Sequence, residues 1–124
     1  MKLRILCKSK IHHASVTGAD LHYVGSIGID EALMRKVDLV AGEQVAVWNV
    51  NNGQRIETYA LPLPAGSGQI VVNGAAARHF HAGDRIIIVA FALTDEPVTP
   101  RMIAVDERNR TNCFSPRQYQ SRDR

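Results

Sequence analysis

The stretch Asp20-Leu21-His22-Tyr23-Val24-Gly25-Ser26 places a nucleophilic hydroxyl directly after a residue with no side chain. A Gly-Ser pair alone is an ordinary turn element. It acquires chemical meaning if the Ser26 hydroxyl attacks the Gly25 carbonyl. The acyl group then moves from nitrogen to oxygen, β-elimination cuts the chain, and loss of ammonia leaves a pyruvoyl ketone on the new amino terminus. Gly25 favours this because a residue lacking Cβ reaches backbone conformations closed to others and lets the hydroxyl approach. The product would be useful: an α-amino acid that loses carbon dioxide leaves a carbanion, and a ketone joined to its amine through a Schiff base absorbs the electron pair. No standard side chain supplies a ketone.

Other candidates are single groups. Arg55 matches a carboxylate with two parallel charge-assisted bonds, but taken alone it is equally an exposed strand-edge charge. Tyr59 reads as a phenol at the rim of a core and Trp48 as ordinary packing. His79 and His81 would face one way on a strand, yet no carboxylate or thiol accompanies the five histidines at ligand spacing, so no metal site is expected. Cys7 and Cys113 lie far apart and read as reduced structural thiols. Gly66-Ser67-Gly68 lacks the following Lys-Ser/Thr helix of a phosphate loop and reads as a linker.

The Asp20–Ser26 stretch resembles the processing site of bacterial aspartate 1-decarboxylases. The similarity continues in register through Lys8-Ser9-Lys10-Ile11-His12, Val16-Thr17, Trp48-Asn49-Val50, Asn52-Gly53-Gln54-Arg55, Thr58-Tyr59-Ala60 and Val72-Asn73-Gly74-Ala75-Ala76-Ala77, over roughly residues 2 to 92. Val24 stands where some members carry an acidic residue, and the chain after about residue 93 matches the family poorly. The resemblance implies a mainly β fold, a six-stranded double-psi β-barrel with short helices, assembled as a homotetramer with active sites between adjacent subunits. It also implies a covalent pyruvoyl cofactor from Ser26, with 1–25 as the small β chain and 26–124 as the pyruvoyl-bearing α chain. The implied reaction converts L-aspartate to β-alanine and carbon dioxide for pantothenate and coenzyme A. A maturation factor is a possible partner, because a helper promotes cleavage in part of the family.

By the same resemblance, Thr58 donates to the oxyanion formed during cleavage and Tyr59 is the proton donor of turnover. Asn73, Gly74 and the backbone amides of Ala75 and Ala76 hold the pyruvoyl carbonyl or the substrate. Trp48 and Ile87 form apolar walls, and His12 lines the pocket beside Lys10. Arg55 is the carboxylate clamp, with Lys10 adding positive charge. It should grip the side-chain carboxylate, because tight pairing of the departing one would lower the ground state and raise the barrier.

The elements that must position these residues are mostly strands. With 124 residues, 45% of them hydrophobic, the chain suits one compact domain. Leu3 to Val16 suits one or two strands, and Asp30 can cap a helix over Glu31–Val37 whose apolar face is Leu33, Met34 and Val37. Gln44–Val50 and Arg55–Leu63 read as a hairpin about Asn51-Asn52-Gly53, stopped by Pro62 and Pro64. Short strands follow at Gln69–Asn73, Ile86–Val89 and Met102–Val105. Many short strands and tight turns favour a closed barrel over a sandwich.

Charge is uneven: residues 1–100 hold nine Lys/Arg and nine Asp/Glu, whereas 101–124 hold six Arg against three acids. The basic tail, from about residue 94 onward, is short and carries only Phe114 and Tyr119 as aromatics, which argues against nucleic-acid binding. Charges interrupt the apolar residues of Met1–Lys8, so neither a signal peptide nor a membrane span is expected, and the protein should be cytoplasmic.

Overall fold

Period-two alternation of β-branched residues builds the core. In this computed structural model, which describes residues 1–111, the strands are β1 (Arg4–Ser15), β2 (Gly18–Asp20), β3 (Ser26–Asp30), β4 (Gln44–Asn49), β5 (Arg55–Leu63), β6 (Ile70–Asn73), β7 (Arg85–Thr94) and β8 (Arg101–Ala104). One α-helix, α1 (Glu31–Lys36), follows β3, and a 3-10 helix (Gly74–His79) follows β6. Ile11, Ile27, Ile29, Ile70, Val72 and Ile88 point inward and are wholly buried. The basic segment expected at the end of the chain lies, from residue 112 on, outside the described residues, as do Cys113, Phe114 and Tyr119.

The strands pair in the order β2-β6-β3-β5-β4-β7-β1-β8. β2, at one end of this order, and β1, next to last at the other, are joined by the chain itself, since only Val16 and Thr17 separate them. Val16 N donates to Asp84 O at 2.9 Å and Thr17 N to Ile70 O at 2.8 Å, so the joining residues also bond across and curl the sheet shut. This link covers most of the edge that a free sheet would expose, leaving β8 as a short outer strand. β6 lies between β2, to which it is parallel, and β3, to which it is antiparallel. β1 lies in the same way between β8 and β7. β6 and β1 therefore each join a parallel to an antiparallel neighbour, which makes the sheet mixed.

Among the described residues the strand count is eight, not six. β1 and β2 are one run of chain interrupted at Val16–Thr17, and β8 adds a short parallel strand beside β1. β5 runs from Arg55 to Leu63 as expected, but Pro62 lies inside it instead of stopping it.

Asp30 ends β3 and starts α1. Its carboxylate accepts from Ala32 N at 2.8 Å, Gly66 N at 2.9 Å and Gly68 N at 2.8 Å. The loop expected to be a linker is therefore a second half of the helix cap. Burial alone would raise the Asp30 pKa, but the amides of Gly68, Gly66, Ala32 and Leu33 outweigh it and leave the carboxyl below its ordinary value.

Candidate active site

β2 and β3 flank β6, so the segment Leu21–Gly25 between them must cross the carboxyl end of that strand. The crossing is where Gly25 meets Ser26. Ser26 is 1% exposed, pairs with Asn73 in the β3/β6 register, and its hydroxyl accepts from Asn73 Nδ2 at 3.2 Å. Gly74, next to Asn73, has φ +74°, and a Cβ there would lie 2.7 Å from Gly25 Cα. Only glycine lets the crossing chain come so near.

Thr58 and Tyr59 reach the same place from the other side of β3. The parallel β3/β5 register pairs Ile27 with Ala60. Ser26 and Tyr59 are the residues that lead into this pairing, and Thr58 lies one residue further back on β5. Strand alternation then separates their roles. Thr58 shares the inward face with buried Ala60 and half-buried Ile56, whereas Tyr59 faces outward at 36% exposure.

A cleft of about 390 Å³ opens on the outer face beside Ser26. Asp20, Ser26 and Asn73 give it a polar end, and Leu61, Leu63 and Val71 an apolar wall. Sequence reading does not single out Asp20. Its position beside Asn73 in the β2/β6 register, and its Oδ1 accepting from His22 N at 3.1 Å, depend on a pairing between distant segments. Ala75 and Ala76 lie in the first turn of the 3-10 helix, whose leading N–H groups have no partner within the helix.

The remaining sequence-derived residues form a second group. Cross-strand pairing sets Arg55 beside Trp48 and Trp48 beside Ile87, while Lys10 pairs with Val89 on the adjoining strand. The Arg55 guanidinium stacks over the Trp48 ring at 4.7 Å from its centroid, a cation–π contact that turns it toward β4 and away from β3. His12 stacks on His13 with ring centroids 4.0 Å apart. Burial first, and then the neighbouring His13, Lys10 and Arg85, push the His12 pKa down to about 4.

A backbone irregularity supports that pair. His13 has φ 60°, where the β1/β7 register shifts, and its carbonyl accepts from Arg85 Nε at 3.0 Å and Nη2 at 2.6 Å. Lys8 is a structural cation: its ammonium donates to Ser9 Oγ at 2.9 Å and pairs with Glu43 at 3.1 Å.

His79 ends the 3-10 helix and His81 follows it, so the two do not share a strand face. Among the described residues no group of three or more His, Cys, Asp or Glu gathers. Cys7 is half-buried and free, and burial raises its thiol pKa. No helix among the described residues is long and apolar enough to cross a membrane.

Fold and site together define a mainly β protein, a mixed sheet curled into a barrel with a buried serine where the chain crosses the end of β6. Residues 1–112 match the family model described as aspartate decarboxylase. The match runs past residue 93, further than sequence reading indicated. The chain is 52% identical over 111 residues to the aspartate 1-decarboxylase of Moorella thermoacetica, covering 86% of this chain and 87% of that protein. It is 50% identical over 111 residues to the aspartate 1-decarboxylase of Leptothrix cholodnii, covering 86% and 85%. The corresponding protein of Herminiimonas arsenicoxydans is 49% identical over 110 residues, covering 86% and 92%. Among solved structures, the chain is similar to a rationally designed protein at TM-score 0.46 and 18% identity, covering 64% of this chain and 91% of that one. The chain belongs to the aspartate decarboxylase family. It is an enzyme, a decarboxylase of the lyase class.

Proposed function

We propose that this enzyme converts L-aspartate to β-alanine and carbon dioxide with a pyruvoyl group made from its own Ser26, after cutting its backbone between Gly25 and Ser26. The observation that carries the reading is the Ser26 hydroxyl, buried at the end of β6 and bonded to Asn73 Nδ2 at 3.2 Å. A buried hydroxyl held beside a crossing glycine is suited to attack on the preceding carbonyl.

Attack by Ser26 Oγ forms an ester as the Gly25–Ser26 C–N bond breaks. Elimination then releases the Gly25 carboxylate, and water replaces the nitrogen, which leaves as ammonia. Thr58, two residues before Ala60 on the strand that pairs with β3, is the hydroxyl donor to the oxyanion of the first step; its place on β5 supports this role. The residues present fit the resulting ketone, since Asn73 supplies a donor and Gly74 leaves room beside it. A ketone at this point would supply the electron sink that decarboxylation of an amino acid requires.

For turnover, Arg55 holds the side-chain carboxylate of aspartate and leaves the departing carboxylate without a tight partner. Lys10 adds positive charge, while Trp48 and Ile87 exclude water and so strengthen these interactions. Tyr59 returns a proton to the carbon that has lost carbon dioxide. Arg55 and Tyr59 lie four residues apart on β5, about 13 Å at ~3.3 Å per residue. The stacking of Arg55 on Trp48 turns it further from Ser26. Two groups that must act on one small substrate are thus apart within a chain, which supports a homotetramer in which neighbouring copies complete each site.

The test is an assay of aspartate beside glutamate, cysteine sulfinate and an uncharged amino acid, with and without prior borohydride. Release of β-alanine from aspartate alone, abolished by borohydride, is expected. Borohydride-resistant activity would rule out the ketone, and preference for an uncharged substrate would rule out the role of Arg55.

A further inference from the structure

We propose that Gly74 is a positioning residue for self-cleavage, the stop against which the scissile residue Gly25 is set; this rests on the Ser26 reading above. The chain contains two glycines at the crossing, and their surroundings differ. Around Gly25 an added Cβ would meet nothing within 4 Å, and its φ lies outside the left-handed region. The freedom expected of Gly25 from sequence is therefore not what the uncut backbone uses.

At Gly74 the reverse holds. Its φ is +74°, and a Cβ would lie 2.7 Å from Gly25 Cα, 3.0 Å from Gly25 N and 3.3 Å from Tyr23 O. All three are backbone atoms of the crossing segment, which cannot rotate aside as a side chain can. Gly28 meets only the Leu63 side chain, at 2.9 Å, and Gly68 meets the Arg108 carbonyl at 3.1 Å, outside the crossing segment.

Consecutive residues of one strand end thus locate both partners of the reaction. Asn73 bonds the nucleophile, and Gly74 bears on the residue that carries the electrophilic carbonyl. An attack of this kind needs its atoms within about 3–3.5 Å, and a misplacement near 1 Å costs on the order of 100-fold in rate. A Cβ at Gly74 falls about 0.7 Å short of ordinary contact, which begins at 3.4 Å, so Gly25 must be displaced by an amount that matters.

The experiment follows cleavage of freshly purified wild type, Gly74→Ala and Gly42→Ala by denaturing mass spectrometry. Melting is measured beside it for each variant in a Ser26→Ala background. Gly42, at φ +86° with nothing within 4 Å of its Cβ, carries the backbone penalty without the contact. Gly74→Ala should stay folded and cut at least about tenfold more slowly than wild type, whereas Gly42→Ala should lose melting temperature yet cut at the wild-type rate. Should Gly74→Ala fail to fold, Gly74→Asn adds the same Cβ in a residue that adopts left-handed backbone more readily, and it should remain folded and slow. Folded Gly74 variants that cut at the wild-type rate overturn the proposal, as does equal slowing in Gly42→Ala. Loss of fold in both Gly74 variants overturns it too, because the contact would then serve folding. Uncut wild-type protein instead refutes the Ser26 reading itself.

Discussion

Replacing Asp30 with alanine should be among the most destabilising single changes in this chain. The carboxylate is 3% exposed and accepts from the amides of Ala32, Gly66 and Gly68 at 2.8–2.9 Å. Loss of the Ala32 bond is loss of a helix cap, worth about 1 kcal/mol. The other two amides lose a charged acceptor, at roughly 1–3 kcal/mol each where no water replaces it. About 3–7 kcal/mol in all is a large part of the ~5–15 kcal/mol that stabilises a typical domain. Asp30→Asn keeps one acceptor oxygen and should lose about half as much.

The assay is urea unfolding in a Ser26→Ala background, so that the chain stays whole. Because the folded carboxyl lies below its ordinary value of 3.8, its contribution is fully present above that value. It fades as pH falls through the lower, folded value, and the stability gap opened by Asp30→Ala should narrow there. A loss under ~1 kcal/mol at neutral pH, or a gap that persists in strong acid, would refute the reasoning.

Thr58→Val removes the proposed oxyanion donor and should leave the chain mostly uncut on a denaturing gel; efficient cleavage would remove Thr58 from the reaction. Tyr59→Phe should cut normally yet lose on the order of 100-fold in decarboxylation rate, measured as carbon dioxide release from the matured enzyme. His12 is held near pKa 4 against 6.5 unfolded, so between those values the unfolded chain binds a proton that the folded chain refuses. Stability should therefore fall as pH drops from 6.5 toward 4, and urea midpoints of His12→Gln should show a shallower fall.

Local signals are legible where neighbouring residues decide the outcome. Asn51-Asn52-Gly53 turns the β4–β5 hairpin, with Gly53 at φ +77°, and Asp30 caps α1. The β5 bounds, Arg55 and Leu63, follow from β-branched and aromatic residues between turn signals. β7 runs on to Thr94 beyond the buried isoleucines, because pairing with β1 sustains Phe91 and Leu93 although both are exposed.

What depends on distant pairing is not legible. The Gly66–Gly68 amides read as a linker until β6 brings them to Asp30. Local pattern puts the steric demand at the cut on Gly25, whereas it falls on Gly74, 49 positions away in sequence. The candidate site residues come as one set from their resemblance to a family. Their division into a Ser26 group and an Arg55–Trp48–Ile87 group depends on strand order, which local pattern does not carry.

The most direct measurement is the mass of fully matured protein under denaturing conditions. Two fragments are predicted, Met1–Gly25 with an ordinary carboxyl end and a second beginning at position 26, lighter by one ammonia than simple hydrolysis would leave it. A single intact chain, or two fragments whose masses differ from the whole only by added water, would contradict the claim that Ser26 becomes the reactive ketone.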